Sequence, residues 1–176
     1  DLRTYYMTSA GAVKAADGVN LMINREERFG MVGESGCGKS TTVMSILRLV
    51  PPPGRVVGGK IMLAGRYDDE WEYDLVSLSE DEMEDVRWAR ISLIPQGAMN
   101  SLNPVMRIYD QLADAILAHE KSTMRSELEP RIAELLTSVG LTPEVMHVYP
   151  HQLSGGMKQR VCVAMAISLN PQLIIA

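Results

Sequence analysis

Apolar residues recur along this chain with two different periods, and the change of period marks its elements. Val43, Ile46, Leu47 and Val50 stand three and four apart, one face of a helix of about three turns that Pro51-Pro52-Pro53 ends. Ile108, Leu112 and Ile116 line one helical face; Leu128, Ile132, Leu135, Leu136 and Val139 line another, closed by Gly140. Residues 104–139 therefore read as a helical block. Thr142-Pro143 is a cap-then-proline helix start, and the polar, turn-rich segment 149–156 opens onto a helix from Met157 to Leu169, stopped by Asn170-Pro171.

Shorter runs between these blocks have strand character. Residues 1–30 mix β-favouring pieces with turn residues at Gly11 and Asp17-Gly18, and RFGMV, 28–32, predicts a strand running straight into Gly33. GGKIMLAG, 58–65, predicts a second strand, RISLI, 90–94, a third, and LIIA, 173–176, one inside the sheet beside the strand at 28–32. Ser79 and Glu82 form a Ser-x-x-Glu capping box, which predicts a short helix from there to just before residue 90. Strands interleaved with helices favour an α/β core. No repeat or low-complexity tract is visible, so one domain with an inserted helical lobe is the simplest organisation.

Composition narrows the class. A chain of 176 residues, 46% hydrophobic and 22% charged, can build one well-buried domain. A net charge of -5 opposes a general nucleic-acid binder, which needs a basic patch. Ten of the 22 acidic residues fall between Asp68 and Asp85, and the run reads as a solvated insertion. Cys37 and Cys162 form neither a disulfide framework nor a zinc pair, which fits a reducing compartment. No stretch approaches the ~20 apolar residues of a membrane span, so any membrane role comes through a partner. The chain starts without Met and stops within LIIA, so both ends read as cut.

The segment GESGCGKSTT, 33–42, carries the chemistry. Gly33, Gly38, Lys39 and Ser40 complete the G-x-x-x-x-G-K-[ST] pattern between a predicted strand and a helix. The glycines, Gly36 included, let successive backbone N–H groups point inward through Glu34, Ser35 and Cys37, and the helix adds its positive end. A polyphosphate fits: Lys39 on its outer phosphates, Ser40 on Mg²⁺, Thr41 and Thr42 near the inner phosphate. The alternative, a glycine-rich turn with an exposed lysine, arises by chance in roughly one percent of such chains. Cys37 reads as a small packing residue of the loop. A second segment, LSGGMKQR, 153–160, places Ser154, Gly155 and Gly156 before a helix, either as a plain N-cap or as a grip for an anion.

The phosphate loop, Gln96 after the strand at 90–94, and LSGGMKQR, in this order and at these separations, resemble the ATP-binding subunit of an ABC transporter over essentially the whole chain. GESGCGKSTT, QGAMNSLNP and Met157, where many relatives carry Gln, resemble its oligopeptide, dipeptide and nickel importer branch. The resemblance implies an α/β fold: a RecA-like P-loop NTPase core with an N-terminal antiparallel β portion and an inserted helical subdomain. It implies a single domain over 1–176, incomplete at its C-terminal end, with the β portion and loop core at 1–96, the helical subdomain at 97–156 and the return to the core at 157–176. The implied cofactors are ATP and Mg²⁺, bound by Gly33, Glu34, Ser35, Gly36, Cys37, Gly38, Lys39, Ser40, Thr41 and Thr42. Lys39 and Gln96 take the catalytic places and Ser40 and Gln96 the metal. Tyr6 or Tyr5 stacks on adenine, unless either is simply a strand residue. Ser154, Gly155 and Gly156 act in trans on ATP held by a second ATP-binding subunit.

The further partners implied are transmembrane permease subunits and, through them, a solute-binding protein that selects the cargo. No nucleic acid is expected, and the location implied is peripheral, on the cytoplasmic face of the cell membrane. A soluble ABC ATPase of DNA repair or translation is the alternative, opposed by the charge; a non-catalytic nucleotide-binding fragment is another. In the family LIIA continues with Asp-Glu, on Mg²⁺ and on the attacking water, and a switch His follows; His119, His147 and His151 do not match its place. The 176-residue chain is therefore expected to hydrolyse ATP poorly, since losing one such preorganised group commonly costs about 10²- to 10³-fold, while its complete parent is active.

Overall fold

The structure, a computed structural model, describes residues 1–66, 70–95, 97 and 100–176. The chain divides into two compact units, Asp1–Met83 and Glu84–Ala176, each taken by itself.

In the first unit β1 (Leu2–Thr8) pairs antiparallel with β2 (Gly11–Val19) on one edge and β3 (Gly54–Gly58) on the other. The hairpin reverses at residues 9–10. Asp17-Gly18, expected as a turn, lies within β2: register slips between Leu2↔Val19 and Arg3↔Asp17, and the positive φ of Gly18 (74°) accommodates a bulge. A second slip, between Thr4↔Ala16 and Tyr5↔Lys14, leaves Ala15 as an extra residue in β2. Helix α1 (Lys39–Ile46) packs with β1 and β2. The buried Thr4 and Ser45 hydroxyls meet at 2.7 Å.

Eight residues make α1 about two turns, shorter than the spacing suggests. Arg48 enters the left-handed region (φ 53°), and Leu49 N–H donates to the Met44 carbonyl at 2.8 Å while Arg48 N–H donates to Ser45 at 3.1 Å. This pattern closes the helix ahead of the prolines. Its buried side chains are Thr42, Ser45 and Leu47, whereas Val43, Ile46 and Val50 are only half-buried. Small hydroxyl residues allow close packing here because their donors are satisfied internally: Thr42 Oγ1 on Gly38 O at 3.0 Å, Ser45 Oγ on Thr41 O at 2.6 Å.

The strand expected over 58–65 is interrupted. Gly58 ends β3, Gly59 turns at φ 91°, and β4 (Met62–Ala64) pairs antiparallel with β5 (Trp71–Asp74). The strand expected at 28–32 does not form, and Phe29, Met31 and Val32 are exposed. A strand needs a neighbour's hydrogen bonds as well as suitable side chains, and among the described residues no strand pairs with this segment.

Helix α2 (Glu80–Val86) starts at the expected capping box: Ser79 N–H donates to Glu82 Oε2 at 2.7 Å and Glu82 N–H to Ser79 Oγ at 3.3 Å. In the second unit β6 (Ile91–Leu93) pairs in parallel with β7 (Leu173–Ile175), so LIIA takes the strand expected at 90–94 as its hydrogen-bonded neighbour. Helices α3 (Ile108–His119), α4 (Arg125–Ser138) and α5 (Gly155–Ile167) bury Ile108, Leu112, Ile116, Leu128, Ile132, Leu136 and Val161 almost completely. Each such side chain contributes about 1.5–3 kcal/mol by leaving water. Gly140 (φ 75°) closes α4 as expected, with Leu141 N–H on Leu136 O at 2.9 Å. Thr142-Pro143 opens only a 3₁₀ turn, Pro143–His147, and α5 starts two residues before Met157 because Ser154 caps it. Among the described residues no helix is long and apolar enough to cross a membrane.

Glu120, just after α3, faces Arg131 of α4, whose Nη2 donates to Glu120 Oε1 at 3.0 Å. The Arg131 hydrogen bonds hold this carboxyl below the ordinary 4.5. A folded carboxyl with a lowered pKa stabilises above its unfolded value and loses that contribution as pH falls through the folded one. Thermal unfolding scanned from about pH 6 to 3 should therefore show a shallower acid loss in Glu120→Gln than in the parent chain; identical slopes would remove the pair from the acid response.

Candidate functional site

Residues 33–38 form an open loop ahead of α1. Cys37 N–H donates to Glu34 O at 3.3 Å, Gly36 has φ 82°, and Gly38, the residue before the helix, has φ 94°. No side chain caps α1, so the N–H groups of its first turn are left to face whatever binds there. A Cβ on Gly38 would lie 2.1 Å from the carbonyl oxygen of Ala15, the extra residue of the β2 bulge. A Cβ on Gly33 would lie 2.8 Å from Cys37 Sγ. Gly38 is therefore required by close approach to backbone, whereas at Gly33 the exposed Cys37 side chain could turn aside.

Lys39 folds back across the loop. Its Nζ donates to Gly33 O and Glu34 O, each at 2.7 Å, and lies 3.4 Å from Cys37 Sγ. The ammonium, the uncapped helix N-terminus and the curled backbone gather positive charge at the loop, which suits phosphate oxygens. Gly33, Glu34, Ser35, Gly36, Cys37 and Ser40 are exposed, so the loop is accessible. Cys37, expected as a small packing residue of the loop, is exposed but places its Sγ against Gly33 and Lys39. Thr41 is half-buried, and Thr42 is buried with its hydroxyl on Gly38 O.

The two candidate tyrosines face different surroundings. Tyr5 Oη donates to Asp17 Oδ1 at 2.5 Å, and Lys14 Nζ lies 5.6 Å from the ring centroid. That hydrogen bond raises the Tyr5 phenol and lowers the Asp17 carboxyl. Tyr6 is half-buried beside Gly54, where a Cβ would meet its Cε1 at 2.7 Å.

In the second unit Ser154 caps α5, its Oγ accepting from Met157 N–H at 3.3 Å. Gly155 and Gly156 are exposed, and a Cβ on Gly156 would meet nothing within 4 Å. The approach to this helix start is held by a stack of Tyr149 and His151 (centroids 5.7 Å apart, planes 12° apart), with Arg107 over the Tyr149 ring. Gln96 lies outside the described residues. Cys162 is buried, which pushes its thiol pKa up. Among the described residues no group of three or more His, Cys, Asp or Glu is placed to hold a metal. Sequence reasoning missed the Ala15 carbonyl and the Thr4–Ser45 pair, because neither contact leaves a local pattern.

Residues 16–176 match the family described as ABC transporter. The dipeptide transport ATP-binding protein DppD of Caldanaerobacter subterraneus subsp. tengcongensis is 41% identical over 176 residues, covering 99% of this chain and 52% of its own length. The oligopeptide transport ATP-binding protein OppD of Bacillus subtilis is 42% identical over 179 residues, covering 100% and 48%. The chain thus spans about half the length of these curated relatives. Among solved structures, the dimeric bacterial ABC transporter cassette MJ0796 superposes with a TM-score of 0.78 at 27% identity, over 98% of this chain and 69% of that one. Its post-hydrolysis form bound to ADP and Pi gives 0.78 at 26% identity, over the same 98% and 69%. The α/β fold is that of a P-loop ATPase cassette.

The close approach at residue 38 separates two glycines of similar backbone. Gly36→Ala meets no atom and costs only its left-handed conformation, about 1–2 kcal/mol. Gly38→Ala adds the clash with Ala15 and should destabilise the fold more in urea unfolding; equal losses would show that the bulge does not constrain the loop.

Proposed function

The chain belongs to the ABC transporter family, and on that premise we propose that it binds Mg-ATP as part of the ATP-binding subunit of a peptide importer. The observation that carries the reading is the Lys39 ammonium held at 2.7 Å from two loop carbonyls beside an uncapped helix start. The names of the relatives, which are dipeptide and oligopeptide transport ATP-binding proteins, support the cargo class.

The loop backbone of Gly33, Glu34, Ser35, Gly36, Cys37 and Gly38 wraps the phosphates, and Lys39 neutralises the outer ones as a point charge. Thr41 and Thr42 border the inner phosphate. The exposed Ser40 hydroxyl in the first turn suits a cation held mostly by phosphate and water, as Mg²⁺ prefers. Ser40 and Gln96 would hold Mg²⁺, which would supply positive charge to offset that of the phosphates. Tyr6 is proposed as the adenine contact.

Ser154, Gly155 and Gly156 present a hydroxyl and an unobstructed backbone at a helix N-terminus, which suits a phosphate carried by a second ATP-binding subunit. A dimeric state of the similar cassette MJ0796 supports that arrangement. ATP hydrolysis coupled to import is the activity proposed for the assembled subunit. The domain is read as β portion and loop core at 1–96, helical subdomain at 97–156 and return to the core at 157–176. The complete subunit docks peripherally on transmembrane permease subunits at the cytoplasmic face, and a solute-binding protein delivers the peptide.

Titration of the chain with a fluorescent ATP analogue in Mg²⁺ should show Lys39→Ala weakening binding at least about tenfold, or 1.4 kcal/mol. Undiminished affinity in Lys39→Ala would end the proposal.

A further inference from the structure

Helix α5 begins at the Ser154 turn and is gripped at its other end by side chains from elsewhere in the unit. Arg131 of α4 donates from Nη2 to the Ser168 carbonyl at 2.8 Å, and Trp88 donates from Nε1 to the Met165 carbonyl at 2.7 Å. These carbonyls lie at the negative end of the helix, where a cation is favoured. Arg131 is itself oriented by Glu120, which accepts from both Nη1 and Nη2. One guanidinium thus ties the end of α3, the middle of α4 and the end of α5. A weaker, exposed tether joins Arg160 Nη1 to Gly140 O at 2.9 Å.

We propose that Arg131 is a positioning residue for the Ser154 turn, acting through α5 as a rigid lever. The 13 residues of α5 span about 20 Å, so a tilt of ~10° at the anchored end moves the Ser154 turn by roughly 3.5 Å. Displacements of about 1 Å in a phosphate-binding group already cost around 10²-fold in rate. The planar fork of Arg131 resists such a tilt because its orientation is set by two carboxylate contacts before it reaches Ser168. This inference rests on the reading of Ser154 as a phosphate contact in the assembled ATPase.

The test is a double-mutant cycle in the complete protein assembled with its partner subunits, reading kcat and KM for ATP with Ser154→Ala, Arg131→Met and the pair. Arg131→Met keeps much of the apolar stem and should lower kcat at least about tenfold, with KM changed less than about twofold. It should have little further effect once Ser154 is Ala, because both changes disable one device. Arg131→Lys, which keeps the charge and loses the fork, should fall between parent and Met. If Arg131→Met does not fold, Glu120→Gln, which frees the guanidinium, is read on the same cycle with the same non-additivity expected. Fully additive losses, or an unchanged kcat in the Arg131 variants beside a lowered one in Ser154→Ala, overturn the lever. An unchanged kcat in Ser154→Ala itself overturns the underlying functional reading, and the lever with it.

Discussion

The carbonyl oxygen of Ala15 sits where a side chain on residue 38 would begin, and the phosphate loop depends on that proximity. The extra residue in β2 brings this carbonyl against the start of α1, so residue 38 has to be glycine, and glycine in turn accepts the φ of 94° that turns the loop into the helix. With no side chain capping it, the helix keeps its first N–H groups for a ligand. The Thr4–Ser45 hydroxyl contact holds α1 on β1, so the loop is built on a packed helix and sheet although its own residues are open to water. Exposure and rigidity coexist because different residues supply them.

The second unit solves a related problem with different means. Its core of leucine and isoleucine side chains makes α3, α4 and α5 one packed body, and burial is non-directional. Direction comes from side-chain donors placed on backbone carbonyls, as Arg131 on Ser168 and Trp88 on Met165. Trp88 adopts φ 69°, a costly conformation for a bulky residue, and its indole N–H is engaged in this contact. The start of α5 is left open: Gly155 and Gly156 are exposed, and a Cβ on Gly156 would meet nothing within 4 Å.

Much of this was legible in residue order. The apolar spacing of Ile108, Leu112 and Ile116 and of Leu128, Ile132 and Leu136 located α3 and α4 with their buried faces, because helical period and burial are the same geometric fact. The Ser79 capping box and the Gly140 stop worked because each is decided by neighbours within one helical turn. Where a partner decides, local pattern misled. RFGMV has strand residues but no ladder, Asp17-Gly18 has turn residues but bulges within a strand, and α1 buries two hydroxyl side chains and Leu47 where an apolar stripe was expected.

The sequence by itself determined the chemical inventory: the glycines, Lys39 and Ser40 of the loop, the Ser154 turn, and the helices whose periodicity is local. Tertiary structure alone decided which glycine is indispensable, which face of α1 is buried, and what anchors α5. Those outcomes turn on atoms such as the Ala15 carbonyl, the Thr4 hydroxyl and the Arg131 fork. They meet their targets, or the place a Cβ on residue 38 would take, only after residues 23, 41 or 37 positions apart have been brought together by folding.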